Sequence, residues 1–262
     1  MPSAHRLSST HRLRLCPAIL IFAAVSADAG PLPDGFVHLG TLAPEIVQDI
    51  RYHGSYNFVG QPIDGYLAPS CILTRQAAEA LRDVQAEVTQ EGLRVRVFDC
   101  YRPTRAVAHF MGWSQDIADQ RMKLAFYPRV DKADFFRLGY VAERSGHSRG
   151  STVDLALEPI GTPVDVSAAL AQRPLVDCTA PHADRYPDTA LDFGTSFDCM
   201  DPRSHPDNTE VSATAQANRA RLAAVMARHG FRPLPEEWWH FTLEQEPFPD
   251  TYFDFPVTAL GE

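Results

Sequence analysis

The chain has 262 residues, of which 45% are hydrophobic and 22% are charged. This composition is typical of a globular protein and excludes a mostly disordered chain, a collagen and a coiled coil. The formal net charge is -9, and the only lysines are Lys123 and Lys132. We therefore expect neither a nucleic acid nor an anionic membrane surface as a partner. The length favours one elaborated domain over two.

The N-terminal segment has the pattern of a signal peptide. Arginines within residues 1–14 precede an apolar run over residues 15–27 that ends in small residues. The run is shorter than the about 20 helical residues that span a bilayer. We predict a signal peptide over residues 1–29, cleaved after Ala29 or after Ala27, and a mature protein that is exported to the periplasm or the extracellular space without stable membrane insertion. An uncleaved N-terminal anchor is the alternative.

Beyond this segment the chain contains four cysteines: Cys71, Cys100, Cys178 and Cys199. An even number in an exported chain is typical of two disulfides, and four cysteines allow three pairings. Local order favours Cys71 with Cys100 and Cys178 with Cys199. A zinc site built from these four is the alternative, although no two of them have C-x-x-C spacing.

Periodic patterns predict the main elements in the first half of the chain. Apolar residues recur at helical spacing over residues 74–90, and alternation with a period of two predicts a strand over residues 93–98. The strand runs into the segment Tyr101-Arg102-Pro103, where the proline ends it. A second alternation over residues 153–157 places Asp154 on the face opposite the apolar side chains.

The second half contains a long irregular stretch and then another periodic region. Residues 162–207 are rich in proline, aspartate and serine, and we interpret them as an excursion that carries two of the cysteines. Helical spacing over residues 215–229 predicts a helix, and residues 231–241 are predicted as one return strand. The sequence shows no internal repeat and no second domain.

Two short patterns contain residues that bind catalytic metals. His147 precedes Asp154, and Glu237 lies three residues before His240. Two histidines and one carboxylate with an open fourth position form the ligand set of a catalytic zinc, and activation of its water requires a further carboxylate that does not bind the metal. Either pattern alone is more simply explained by a structural hydrogen bond.

Together with their flanks, these segments resemble the zinc D-alanyl-D-alanine dipeptidases of the VanX type. The family patterns S-x-H-x-x-G-x-x-x-D, E-x-W-H and Y-R-P correspond to residues 145–154, 237–240 and 101–103. The likeness extends over roughly residues 35–245. The signal peptide, the four cysteines and the long insertion depart from the family.

The resemblance implies a site with one zinc ion as cofactor. His147, Asp154 and His240 would bind the metal, and Glu237 would act as the general base. Arg102 would stabilise the transition state. For Arg102 the alternative is a structural salt bridge with its neighbour Asp99, and for Glu237 it is a solvated carboxylate.

Substrate contacts and architecture also follow from the resemblance. Asp198 corresponds to the position that meets the free amino group of the substrate, Ser145 lies near the substrate carboxylate, and His205 is expected to lie behind the metal ligands. The implied fold class is α+β: a single domain over residues 30–262, with a central antiparallel sheet flanked by helices, as in D-Ala-D-Ala peptidases and Hedgehog-like domains. A long insertion is expected around residues 159–196.

The implied activity is hydrolysis of the dipeptide D-Ala-D-Ala, and export favours a role in scavenging or turnover of peptidoglycan peptides. Two alternatives stay open. One is a zinc D,D- or L,D-carboxypeptidase that acts on peptidoglycan stems, because the same ligand set serves both reactions. The other is a zinc-stabilised module that binds cell-wall peptides without catalysis.

Overall fold

The computed structural model describes Met1 and residues 31–163, 174–187 and 189–260. The rest of the predicted signal peptide and part of the predicted insertion lie outside the described residues. From Pro31 onward the chain forms one compact unit. Within the described ranges no helix is both long and apolar enough to cross a membrane.

Among the residues that the structure describes, seven strands form two sheets. They are β1 (Phe36–His38), β2 (Val47–Gln48), β3 (Ile72–Thr74), β4 (Leu93–Asp99), β5 (Thr152–Pro159), β6 (Phe231–Leu234) and β7 (Glu237–Leu243). The central sheet has the order β2-β4-β5-β7-β6, and β1 pairs with β3 in a small second sheet. All pairs in the central sheet are antiparallel except β2 with β4. The α+β class is confirmed, with one parallel edge strand in a mainly antiparallel sheet.

In the described part of the chain, four α-helices accompany the sheets. They are α1 (Arg75–Thr89), α2 (Thr104–Gln115), α3 (Lys123–Phe126) and α4 (Ala213–Arg228). At the start of α1 the side chain of Thr74 accepts a hydrogen bond from the N–H of Ala77, and Ser212 caps α4 in the same way. The helices predicted around residues 74–90 and 215–229 are thus confirmed. Helix α2, which follows Pro103 directly, was not predicted.

The prediction of one return strand over residues 231–241 is wrong. The segment forms a hairpin of β6 and β7 joined by a turn at Pro235 and Glu236. Proline has no N–H to donate to a strand ladder and fixes a backbone angle that suits a turn. The hairpin places Glu237 and His240 together on β7, next to β5.

The register of the central sheet separates the core from the site. Val97 pairs directly with Leu155 on one face, and both are fully buried. On the opposite face Asp154 pairs with Asp99 of β4 on one side and with His240 of β7 on the other. Three adjacent strands therefore present three functional side chains in one row.

Two disulfides join Cys71 to Cys100 and Cys178 to Cys199, which is the pairing that local order favours. The second bridge lies in the irregular stretch. In the described parts of that stretch, the only helical or strand element is a short 3-10 turn over Pro202–Ser204. A covalent link there compensates for the scarcity of regular structure in those described parts.

Candidate active site

His147, Asp154 and His240 come together at one end of the central sheet. Their potential ligand atoms all lie within 4.8 Å of one another. One oxygen of Asp154, Oδ1, is 3.3 Å from His147 Nε2 and 3.2 Å from His240 Nδ1. The strand register explains the contact with His240, because Asp154 and His240 are direct cross-strand partners.

A 3-10 turn over Gly146–Arg149 carries His147 to this point. The Ser145 side chain caps the turn by accepting a hydrogen bond from the His147 N–H. Gly150 ends the turn with φ of +82°, and a Cβ at that position would lie 2.2 Å from the Phe36 ring. Only glycine combines this left-handed backbone with so close an approach.

The hydrogen bonds of His147 fix its tautomer. Nδ1 lies 2.7 Å from the backbone carbonyl oxygen of Cys100, which can only accept, so Nδ1 carries the proton. This leaves Nε2 as the ring nitrogen that faces Asp154. Both His147 Nε2 and Asp154 Oδ1 are buried without a hydrogen-bond partner among the described residues. A histidine oriented by a backbone carbonyl in this way is typical of a metal ligand.

The electrostatics of the group also fit a cation. Burial lowers the pKa of His240, but the adjacent carboxylates of Asp154 and Glu237 outweigh this and raise it to about 9. Burial raises the pKa of Asp154, but the two neighbouring histidines have a larger opposite effect, so the net shift of its pKa is downward. The carboxylates on either side of His240 therefore favour a positive charge at this point of the cavity, as a bound divalent cation would supply. Two imidazole nitrogens and one carboxylate form the donor set of a catalytic zinc site.

Glu237 lies beside this group without belonging to its buried centre. Its Oε2 is 3.3 Å from His240 Nδ1, and its side chain is 21% exposed, against 2% for Asp154. A carboxylate at the edge of the cavity can reach both a water molecule and the bulk solvent. This position suits a proton-transferring group better than a structural ligand.

Arg102 lies in the cavity wall between two aspartates. Its Nε and Nη2 are 2.9 and 2.8 Å from Asp99 Oδ2, and Nη2 is 3.7 Å from Asp154 Oδ2. Burial lowers the pKa of Arg102, but the charge of Asp99 more than offsets this, so the guanidinium stays charged. The salt bridge considered as an alternative is therefore present, and the same guanidinium also lines the cavity.

Asp198 lies in the cavity with an unusual backbone conformation, φ of +60°. Tyr52 donates its O–H to Asp198 Oδ2 over 2.8 Å, and the disulfide-bonded Cys199 follows in sequence. Burial, together with the nearby charge of Asp154, raises the pKa of Asp198 well above its usual value. A carboxylate in such a place is stabilised by a cationic partner. The left-handed backbone of Asp198 costs about 1–3 kcal/mol, and strained backbone conformations of this kind concentrate at functional sites.

One cavity of about 330 Å³ contains all seven predicted site residues: Arg102, Ser145, His147, Asp154, Asp198, Glu237 and His240. Its size is in the range of small-molecule sites. His205, expected behind the metal ligands, does not line it. The sequence reasoning missed Tyr52, which also lines the cavity. Nothing local in the sequence marks Tyr52, whereas the salt bridge between Asp99 and Arg102 was already considered as an alternative.

Sequence comparisons match the chain to one family of known proteins. The family described as D-ala-D-ala dipeptidase matches residues 33–173 and 175–258. A D-alanyl-D-alanine dipeptidase of Streptomyces coelicolor is 41% identical over 217 residues, covering 81% of this chain and 95% of the relative. One of Enterococcus faecium is 34% identical over 221 residues, covering 83% and 97%.

A solved structure of the vancomycin-resistance D,D-pentapeptidase VanY in complex with Zn(II) aligns with 68% of this chain and 76% of its own. The TM-score is 0.36 and the identity 15%, so this likeness supports no detail of the site. The sequence matches span nearly the whole described chain, including every residue of the cavity named above. The chain therefore belongs to the D-ala-D-ala dipeptidase family of peptidases.

Proposed function

We propose that the chain is an exported zinc D-alanyl-D-alanine dipeptidase that hydrolyses free D-Ala-D-Ala to two D-alanines. The observation that carries this proposal is the placement of Asp198, a buried carboxylate, in the same cavity as the His147, Asp154 and His240 group. The carboxylate of Asp198 suits a free ammonium group on the substrate. The group of two histidines and Asp154 suits a metal that activates water.

The metal would be held by His147 through Nε2, by His240 through Nδ1 and by Asp154, the atoms that converge in the cavity. Zinc bound there would supply Lewis acidity and lower the pKa of a water molecule. The hydrogen bond from His147 Nδ1 to the Cys100 carbonyl keeps the coordinating nitrogen unprotonated and aimed at the site.

Glu237 would transfer protons. Its carboxylate takes a proton from the attacking water as the new C–O bond forms, and returns it to the leaving nitrogen as the peptide C–N bond breaks. One water is consumed, and two amino acids are released.

Arg102 would stabilise the negative charge that develops on the carbonyl oxygen. Its charge is permanent and its side chain is only 13% exposed, so the interaction is stronger than in water. Ser145, whose Oγ is 3.5 Å from Arg102 Nη1, lies where it can donate to the substrate carboxylate. The dipeptide would thus lie between Asp198 at its amino end and Ser145 at its carboxyl end.

Export and a scavenging role complete the proposal. The arginine-rich and apolar pattern of the N-terminus supports export. The two disulfides support an oxidising compartment. On that side of the membrane the enzyme would recover D-alanine from peptidoglycan peptides. Sequencing the mature N-terminus and assaying cell fractions would test this part, and a cytoplasmic, uncleaved chain would contradict it.

Substrate choice distinguishes this function from a carboxypeptidase. An acylated substrate has no ammonium group and leaves the buried Asp198 without a cationic partner. We therefore expect acylated substrates to be rejected by about 1000-fold. The experiment compares kcat/KM for D-Ala-D-Ala and N-acetyl-D-Ala-D-Ala with the zinc-loaded protein. Asp198→Ala should retain zinc, lose activity on the free dipeptide and narrow the difference between the two substrates. Equal rates in the wild type would favour the carboxypeptidase, and no hydrolysis of either would favour the binding module.

A further inference from the structure

We propose that Asp99 is a positioning residue that holds Arg102 in its transition-state geometry. The inference rests on the proposed function, because it assigns a residue that acts through Arg102. Asp99 is fully buried at the end of β4 and lies directly opposite Asp154 in the sheet. Its Oδ2 receives both Nε and Nη2 of Arg102, at 2.9 and 2.8 Å.

The carboxylate of Asp99 is itself fixed from the other side. Its Oδ1 accepts the Tyr66 O–H over 2.6 Å and the backbone N–H of Cys100 over 2.9 Å. Both oxygens are therefore occupied, and rotation of the carboxylate would break several hydrogen bonds at once. Since Tyr66 and Cys100 are themselves buried, the anchor is rigid.

This anchor determines which part of Arg102 faces the reaction. Nε and Nη2 are held by Asp99, whereas Nη1 is directed towards Ser145, with 3.5 Å to its Oγ. Asp99 also holds Nη2 at 3.7 Å from Asp154 Oδ2, which is too long for a hydrogen bond. Without the charge of Asp99, the guanidinium would no longer be held with Nη1 directed towards Ser145.

Asp99→Asn tests the proposal with the smallest change of shape. Asparagine keeps an acceptor for Tyr66 and for the Cys100 N–H but removes the charge that holds Arg102. We expect kcat to fall by about 100-fold, the scale of one lost transition-state donor, with little change in KM and with one zinc per chain retained. Loss of zinc from this variant would overturn the proposal, since Asp99 would then act on the metal site.

A double-mutant cycle shows whether Asp99 acts through Arg102. In the Arg102→Ala background, Asp99→Asn should lower kcat by less than about 3-fold, because its effect passes through the missing guanidinium. A binding readout is independent of turnover: affinity for a phosphinate analogue of the dipeptide, which carries a tetrahedral anionic centre, should fall by about 100-fold in Asp99→Asn. An equal loss of kcat in both backgrounds would overturn the proposal.

Glu158→Gln is the matched control for a purely structural effect. Glu158 is equally buried and pairs with Arg94 and Arg96 at the far end of β5. It should lower the melting temperature and leave kcat unchanged. Tyr66→Phe is the second variant, for use if Asp99→Asn does not fold. It removes one hydrogen bond to Asp99, and we expect kcat about 10-fold lower with KM unchanged.

The outcomes separate the two proposals. Failure of the zinc-loaded wild type to release D-alanine would overturn the proposed function and, with it, the role of Asp99. If the wild type is active, a normal kcat in Asp99→Asn would overturn the positioning role alone. If Asp99→Asn does not fold, a normal kcat in Tyr66→Phe would do the same.

Discussion

Removal of the disulfide between Cys71 and Cys100, by the paired change Cys71→Ala and Cys100→Ala, should destabilise the protein strongly. The two residues are 29 positions apart in sequence. The loop-closure entropy of a crosslink over that length corresponds to about 3.6 kcal/mol at 25 °C. This is a large part of the about 5–15 kcal/mol that stabilises a typical domain. At about 2–4 °C per kcal/mol for a chain of this size, the melting temperature should fall by about 10 °C.

The second bridge provides the comparison. Cys178 and Cys199 are 21 positions apart, so their paired replacement should cost nearly as much, about 3.3 kcal/mol. The functional effects should differ. Because the Cys100 carbonyl orients His147, loss of the bridge between Cys71 and Cys100 should weaken zinc retention. Because Cys199 directly follows Asp198, loss of the bridge between Cys178 and Cys199 should raise KM for the free dipeptide.

Thermal unfolding measures the melting temperature, mass spectrometry measures the zinc content, and steady-state kinetics measure KM. Thiol titration tests the pairing itself. Four titratable thiols in unreduced wild-type protein from an oxidising compartment would refute the pairing. An unchanged melting temperature in both paired variants would refute the entropic reasoning.

Three further substitutions test separate parts of the structure. His240→Ala should lose most of its zinc and nearly all activity, because an open site with three protein ligands cannot readily lose one; full zinc content with normal turnover would disprove the ligand assignment. Arg102→Lys keeps the charge but not the planar fork of donors, so kcat should fall; a variant changed only in KM would indicate a ground-state contact. Gly150→Ala should lower the melting temperature more than Gly92→Ala. Both glycines have a positive φ, but only at Gly150 would the new Cβ clash with a neighbour, the ring of Phe36. Equal shifts would show that the backbone angle alone decides the cost.

The periodic elements were predictable because their patterns are local. The spacing of apolar residues and the caps at Thr74 and Ser212 determine α1 and α4 with little help from the rest of the chain. The hairpin at residues 231–243 was missed because two short strands and one continuous strand share the same alternation, and only the turn at Pro235 distinguishes them. The small strands β1, β2 and β3 depend on partners distant in sequence.

The ligand set and Glu237 were recognisable because each falls within a short motif. Their convergence required the register that pairs Asp154 with His240, and residue spacing does not encode this register. Tyr52 could not be predicted for a similar reason: its hydroxyl meets Asp198, which is 146 residues away in sequence. Contacts of this kind are set by the packed fold alone.

The most direct test is a zinc titration of D-alanine release from D-Ala-D-Ala. Protein stripped with a chelator should be inactive, and its activity should rise linearly with added zinc and stop rising at about one equivalent. Glu237→Gln should bind the same equivalent of zinc, and its turnover should fall by roughly 100-fold or more, since it keeps the metal and loses the base. Full activity in the stripped protein, or wild-type turnover in zinc-loaded Glu237→Gln, would contradict a zinc dipeptidase built on these residues.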